Sequence, residues 1–286
     1  MQQLKIFIEL TRLNKPIGFM LLFWPCAWGL AYAHSFHKNL NLFLYYLVLF
    51  FLGSILMRSA GCIFNDIVDK DFDKKVRRTK NRPIAAGKIS VKQSFIYVLI
   101  LCSIAFLILL QFNIYTILLG MSSMLLAFSY PFTKRITYWP QLFLGITFNW
   151  GIIMAWAAMN GSLRVEIIIL YISAIFWTLG YDTIYGSQDI SDDEIIGLKS
   201  TAIKFKKNIR AFVSLNYLIS VLLILFLFKN LIGANFFTLL LLTFIFSLVY
   251  QLMNFKQNSK RNYLKLFKVN NFTGLFLFLS IVSIDL

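Results

Sequence analysis

Acid is what this chain has least of. Among 286 residues only 12 are Asp or Glu, against 28 Lys and Arg, and charged residues of both signs reach just 14%. Soluble domains carry about 25% charged residues, so the shortage excludes an ordinary water-facing surface. Cysteine is nearly as scarce. Cys26, Cys62 and Cys102 fall in three separate apolar stretches without C-x-x-C spacing, which excludes a disulfide framework or a thiolate metal site. The two histidines, His34 and His37, stand near the end of an apolar run with no acid close by, and read as interfacial side chains. Nucleophile and nucleotide signatures are missing as well: there is no G-x-S-x-G, P-loop, H-E-x-x-H or G-x-G-x-x-G.

What the chain does have is apolar length. Hydrophobic residues make up 59% and the mean hydropathy is +0.72. A helix needs roughly 20 apolar residues to cross the hydrocarbon core. Nine stretches qualify, at 16–35, 41–63, 93–112, 114–132, 140–160, 165–185, 211–229, 233–254 and 269–285. No hydrophilic gap between them is long enough for a soluble domain. The expected fold is therefore all-α, a polytopic bundle of about nine transmembrane helices forming one domain over 1–286. The net charge of +16 does not require nucleic acid. With the N-terminus placed inside, nine spans leave only Lys38, Arg164 and Lys229 on the outer face, and the positive-inside bias accounts for the rest. The opening MQQLKIFIELTRLNKPIGF carries acid and no small-residue cleavage site, unlike a secretory signal. Nor is it an Arg/Ser-rich transit extension, so a bacterial inner membrane is expected.

The few acids are gathered. Asp66, Asp69, Asp71 and Asp73 follow the second apolar stretch, and Asp182, Asp189, Asp192, Asp193 and Glu194 follow the sixth, together nine of the 12. The threading puts both groups on the cytoplasmic side. At about 100° per residue, a helix continued through the first group sets Asn65, Asp69, Asp73 and Asp66 on one arc and Asp71 on the opposite face. Continued through the second, it sets Asp182, Asp189 and Asp193 within roughly 40° of each other. Like charges stacked in this way repel and call for a cation. Oxygen donors without His or Cys select Mg²⁺ over zinc. Lys74, Lys75, Arg77, Arg78, Arg82 and Lys199 stand nearby, so metal-binding acids and phosphate-binding bases occur together, the composition of a diphosphate site. A transporter is the rival reading, because ionisable groups at membrane depth also mark ion pathways. Transporters place polar groups near the midplane. Here they crowd one interface, with Asn149 of FNWG the main exception.

Four segments carry a resemblance: RLNKPIGFMLLFWPCAWGLAYA (12–33), RSAGCIFNDIVDKDFDKKVRRTKNRPIAAG (58–87), KRITYWPQLFLGITFNWG (134–151) and YDTIYGSQDISDDEIIGLKSTAI (181–203). In this order they resemble the UbiA-type membrane prenyltransferases, and among these the branch acting on 4-hydroxybenzoate in ubiquinone synthesis. The resemblance implies a central cavity open to the cytoplasmic face. Its partners would be polyprenyl diphosphate, 4-hydroxybenzoate and the lipid bilayer, and its cofactor Mg²⁺. It implies that Asn65, Asp69 and Asp73, with Asp66 beside them, hold one Mg²⁺, and Asp189 and Asp193 another. Arg12, Arg78, Lys134 and Lys199 would meet the diphosphate, and Arg135 the acceptor carboxylate. A polyprenyl group would pass to the carbon ortho to the acceptor hydroxyl. A related enzyme acting on a naphthoate or homogentisate is the alternative acceptor reading.

Overall fold

A computed structural model describes residues 2–256 and 260–285 of the chain. It is all-helical, and among the described residues nine helices are long and apolar enough to cross a membrane. These are α2 (Ile17–His37), α3 (Leu40–Val68), α5 (Val91–Leu109), α6 (Ile114–Ile136), α7 (Pro140–Asn160), α8 (Val165–Gly186), α11 (Ile209–Leu227), α12 (Phe236–Asn254) and α13 (Lys260–Val282). Four short helices complete the chain: α1 (Gln2–Thr11), α4 (Lys70–Asp73), α9 (Ile190–Ile195) and α10 (Thr201–Lys204). All backbone groups of a spanning segment must bond within it, and local chemistry marks where that requirement starts. Asn39, Ser90, Asn113 and Asn235 cap α3, α5, α6 and α12 by accepting a backbone N–H three residues on.

Several helices outrun their apolar windows. α13 begins at Lys260 rather than 269, and α3 runs to Val68 rather than 63. Hydropathy finds the part of a helix that lies in hydrocarbon, while the hydrogen-bond ladder continues into the polar interface. α1 packs Ile6 and Leu10 against Ala60 and Ile63 of α3, so it lies on the bundle rather than in it.

α2 packs closely against α7. A Cβ on Gly29 would lie 2.4 Å from the Ile152 carbonyl oxygen, and one on Gly151 would lie 2.3 Å from Cys26 Sγ. Close approach through small residues supplies packing where lipid gives no hydrophobic drive between helices. Asn149 is not the lone polar group inside the spans. Its Nδ2 donates to Gly145 O, Ala174 O and Thr178 Oγ1, and a second, larger network ties α8, α11, α12 and α13. There Tyr217 Oη donates to Gln251 Oε1 (2.8 Å), Asn270 Nδ2 donates to the same oxygen (3.0 Å), and Trp177 Nε1 donates to Asn270 Oδ1 (2.9 Å). Scattered through Leu/Ile/Phe-rich spans, these residues leave no cluster in the sequence to read.

Candidate active site

The first acid group sits where α3 passes into α4. The ladder persists across the junction, with Asp69 N–H donating to Asn65 O (2.9 Å) and Asp73 N–H to Asp69 O (2.8 Å). That continuity keeps Asn65, Asp69 and Asp73 one turn apart on one face. Side-chain exposure separates the arc from its back: Asp69 is 1% exposed and Asp71 85%. The second group behaves differently. α8 stops at Gly186 and a turn through Ser187 and Gln188 intervenes before α9, so no single helix carries Asp182, Asp189 and Asp193. Asp189 and Asp193 turn toward the first group, whereas Asp182 lines an adjoining and much larger space.

The two groups meet. A pocket of about 170 Å³ is lined by Asn65, Asp69 and Asp73 from one side, Asp189 and Asp193 from the other, and by Arg78, Arg82 and Lys134. Asn65, Arg78 and Arg82 also line a cavity of about 1430 Å³. That cavity has Arg12, Asp66 and Tyr185 near its polar end and Leu49, Phe50, Phe106 and Met154 farther along. A small polar chamber thus opens into a long apolar one.

The carboxylates are held by cations. Arg82 Nη1 donates to both Asp66 Oδ1 (3.0 Å) and Asp73 Oδ2 (2.8 Å), and Arg12 Nη2 donates to Asp66 Oδ1 (2.6 Å). Arg78 forms a two-pronged pair with Asp189, at 2.9 and 2.7 Å. Lys134 Nζ and Asn65 Nδ2 both donate to Asp69 Oδ2. Burial, and then the charge of Asp189, push the Asp193 carboxyl up to about 6, with Lys134 and Arg78 pulling the other way. Burial also raises Asp73, and the Arg82 charge offsets part of that. Burial disfavours the Arg78 cation, but the charge and hydrogen bonds of Asp189 favour it, and its pKa is raised.

Two of the basic residues expected at the site lie behind its wall. Lys199 Nζ donates to Ile136 O (3.1 Å), and its backbone N–H donates to Lys134 O (2.8 Å), so it steadies Lys134 from outside the pocket. Arg135 donates to Val68 O (2.8 Å) and Asp69 Oδ1 (3.5 Å) and lies over the Phe72 and Phe132 rings. Neither residue lines either space. Arg82 was visible in the sequence only as one base in a run, and its bridging of two carboxylates depends on the fold of the loop after α4. Arg58 has no role at the site on the sequence reading. It lines the large cavity beneath the Phe148 ring, 5.4 Å away, and its Nε has no hydrogen-bond partner.

The donor set fits Mg²⁺. It consists of oxygen atoms, and no three Asp, Glu, His or Cys among the described residues gather tightly enough to cage an ion. Mg²⁺ is usually held by one or two carboxylates, with water and substrate phosphate completing its shell. In addition, the bridging Arg82 nitrogen shows that positive charge is accommodated between Asp66 and Asp73.

Residues 22–280 match the UbiA prenyltransferase family. The chain belongs to that family. Over 212 residues it is 49% identical to the mitochondrial 4-hydroxybenzoate polyprenyltransferase of Rattus norvegicus, covering 74% of this chain and 56% of the relative. The human enzyme of the same name is 50% identical, with 74% and 57% covered. The matched stretch therefore spans little more than half the length of these relatives. A UbiA homologue from Aeropyrum pernix shares the fold at a TM-score of 0.77 and 23% identity, covering 93% of this chain and 98% of its own. A homologue from Archaeoglobus fulgidus, bound to GPP and Mg²⁺, aligns at a TM-score of 0.68 and 16% identity, covering 97% and 99%. As a UbiA-family chain with nine candidate spans, this is a multi-pass membrane protein.

Proposed function

We propose that this protein transfers a polyprenyl group from its diphosphate to the carbon ortho to the hydroxyl of 4-hydroxybenzoate, an early step of ubiquinone biosynthesis. The observation that carries the reading is the pair of joined spaces, a polar pocket of about 170 Å³ opening into an apolar cavity of about 1430 Å³. A prenyl diphosphate has the same two parts. Half-identity to 4-hydroxybenzoate polyprenyltransferases supports the acceptor class, and the Mg²⁺ and GPP in the Archaeoglobus homologue support the donor.

Asn65, Asp69 and Asp73 would hold one Mg²⁺ and Asp189 and Asp193 the other, with Asp66 beside the first. When bound, Mg²⁺ supplies charge stabilisation for the leaving diphosphate. Arg12, Arg78, Arg82 and Lys134 pair with the carboxylates and would turn to phosphate oxygens where cations take their place. The C1–O bond of the allylic diphosphate breaks, and its electrons leave with the diphosphate. The ring carbon ortho to the hydroxyl forms the new C–C bond and then loses its proton. Apolar walls keep water from the allylic cation.

Arg58 is the acceptor's partner in this reading. Its Nε lies buried at the cavity wall with no hydrogen-bond partner, and a planar fork matches a carboxylate. Arg135 serves instead to brace Asp69. The carboxylates lie together at the end of α3 and beyond α8, and the distribution of Lys and Arg supports placing this end on the cytoplasmic side of the membrane, which we take to be a bacterial inner membrane. Membranes given Mg²⁺, labelled 4-hydroxybenzoate and prenyl diphosphate test the reading. Prenylated acceptor is expected. A naphthoate or homogentisate used in its place overturns the acceptor assignment, and no transfer to any aromatic overturns the function.

A further inference from the structure

From Asn65 an i,i+4 ridge of α3 winds along the large cavity: Gly61, Met57, Gly53 and Leu49, each four residues from the last, all line it. Two of these are glycines, and the space over them is empty. A Cβ built on Gly53 or Gly61 meets nothing within 4 Å. Elsewhere in the bundle glycine marks crowding, as at Gly29 and Gly151. Here it marks room. A glycine in a helix interior costs roughly 0.5–1 kcal/mol relative to alanine, and packing at Gly53 and Gly61 gives no return for it.

We propose that Gly53 and Gly61 set how much isoprenoid the cavity accepts, Gly61 beside the second unit of the tail and Gly53 beside the fourth. At a helical rise of 1.5 Å per residue, Gly61 stands about 6 Å from Asn65 and Gly53 about 18 Å. A four-carbon backbone repeat extends roughly 5 Å, from bonds of about 1.5 Å in zigzag. Two units therefore pass Gly61 and stop short of Gly53, while four or more units lie across both. The cavity continues beyond Gly53 to Phe50, whose ring centroid is 4.9 Å from that of Phe112.

This inference rests on the diphosphate reading of the polar pocket, and one experiment separates the two. Wild type, Gly53→Leu, Gly53→Phe and Gly61→Phe are compared in membranes with geranyl diphosphate and with an all-trans diphosphate of six or more units. Val48→Phe, on the lipid-facing side of the same helix at 56% exposed, is the control. Gly53→Phe is expected to lower kcat/KM for the long donor relative to geranyl by about 10–200-fold, the range for a reshaped apolar pocket, with Gly53→Leu between it and wild type. Gly61→Phe is expected to lose both donors, and Val48→Phe neither. The open space over both glycines makes misfolding avoidable, and the long-to-short ratio is independent of protein amount. An unchanged ratio in both Gly53 variants, with wild type using both donors, overturns the inference alone. A wild type that uses neither donor overturns the diphosphate reading and the inference with it.

Discussion

Two identical chemical changes, two residues apart, test the arc most directly. Asp69→Asn and Asp71→Asn each remove one negative charge and keep side-chain size. Asp71 is 85% exposed and pairs only with Lys74, at 3.2 Å across i,i+3. Exposed pairs of that kind are worth about 0.2–1 kcal/mol, so its loss changes neither fold nor turnover much. Asp69 is 1% exposed and gathers Lys134, Asn65 and Arg135. On the proposed reading it also stabilises charge developing on the leaving diphosphate. Removing one such stabilising group costs on the order of 10²–10³ in rate. The assay is transfer to labelled 4-hydroxybenzoate in membranes with protein abundance matched by blotting, over a range of Mg²⁺. Asp69→Asn should lose most turnover and regain part of it at high Mg²⁺, while Asp71→Asn follows wild type. Equal activities at equal abundance would refute both the arc and the metal role assigned to it.

Four other outcomes are expected. Arg58→Ala raises the acceptor KM with little change for the donor, whereas Arg135→Ala lowers kcat without a selective acceptor effect; steady-state kinetics with each substrate varied distinguish them. Asp193, with its pKa raised to about 6, is protonated below that pH, so divalent-ion affinity measured from pH 5 to 8 should weaken as pH falls through about 6, and Asp193→Asn should flatten that dependence. Without metal the sign reverses: from 3.8 to about 6 the folded protein binds the extra proton, so stability declines as pH rises across that window. Gln251→Leu breaks bonds to Tyr217 and Asn270; at about 0.6–1.7 kcal/mol per interhelical bond in a membrane, thermal unfolding in detergent should drop by several degrees while turnover per folded molecule persists. After replacement of the native cysteines, single cysteines at Lys75, Lys206 and Lys256 should label from one side of the membrane and those at Lys38 and Ser162 from the other.

The helices were legible because hydrocarbon imposes one strong rule, about 20 apolar residues per crossing, and the chain obeys it nine times. Their ends were less so, because Lys265 and Lys268 lower the apolar score without interrupting α13. In the first acid group, the i,i+4 spacing of Asn65, Asp69 and Asp73 survives the α3–α4 junction since the backbone bonds do. In the second, the same angular arithmetic fails for Asp182, because α8 ends at Gly186 and the turn after it resets the phase. Which cation meets which carboxylate was not legible at all. Lys134 reaches Asp69 across 65 residues and Arg78 reaches Asp189 across 111, contacts that depend on how the loops return.

Those pairings explain why so many acids can be buried together in a chain that otherwise avoids them. An uncompensated carboxylate taken out of water loses several kcal/mol of solvation, and four here line one small pocket. Lys134, Arg82 and Arg78 supply the compensation for Asp69, Asp73 and Asp189, and Arg12 pairs with Asp66 beside them. On the proposed reading, a diphosphate arriving with Mg²⁺ would bring both kinds of charge, cations for the carboxylates and phosphate oxygens for the displaced bases. Exchange leaves the pocket's charge balance intact, whereas either component alone would leave carboxylates or bases unpaired. Binding of diphosphate and of metal should therefore be mutually dependent. Titration of each in the absence and presence of the other measures that coupling, and independent affinities would show that the ion pairs do not exchange.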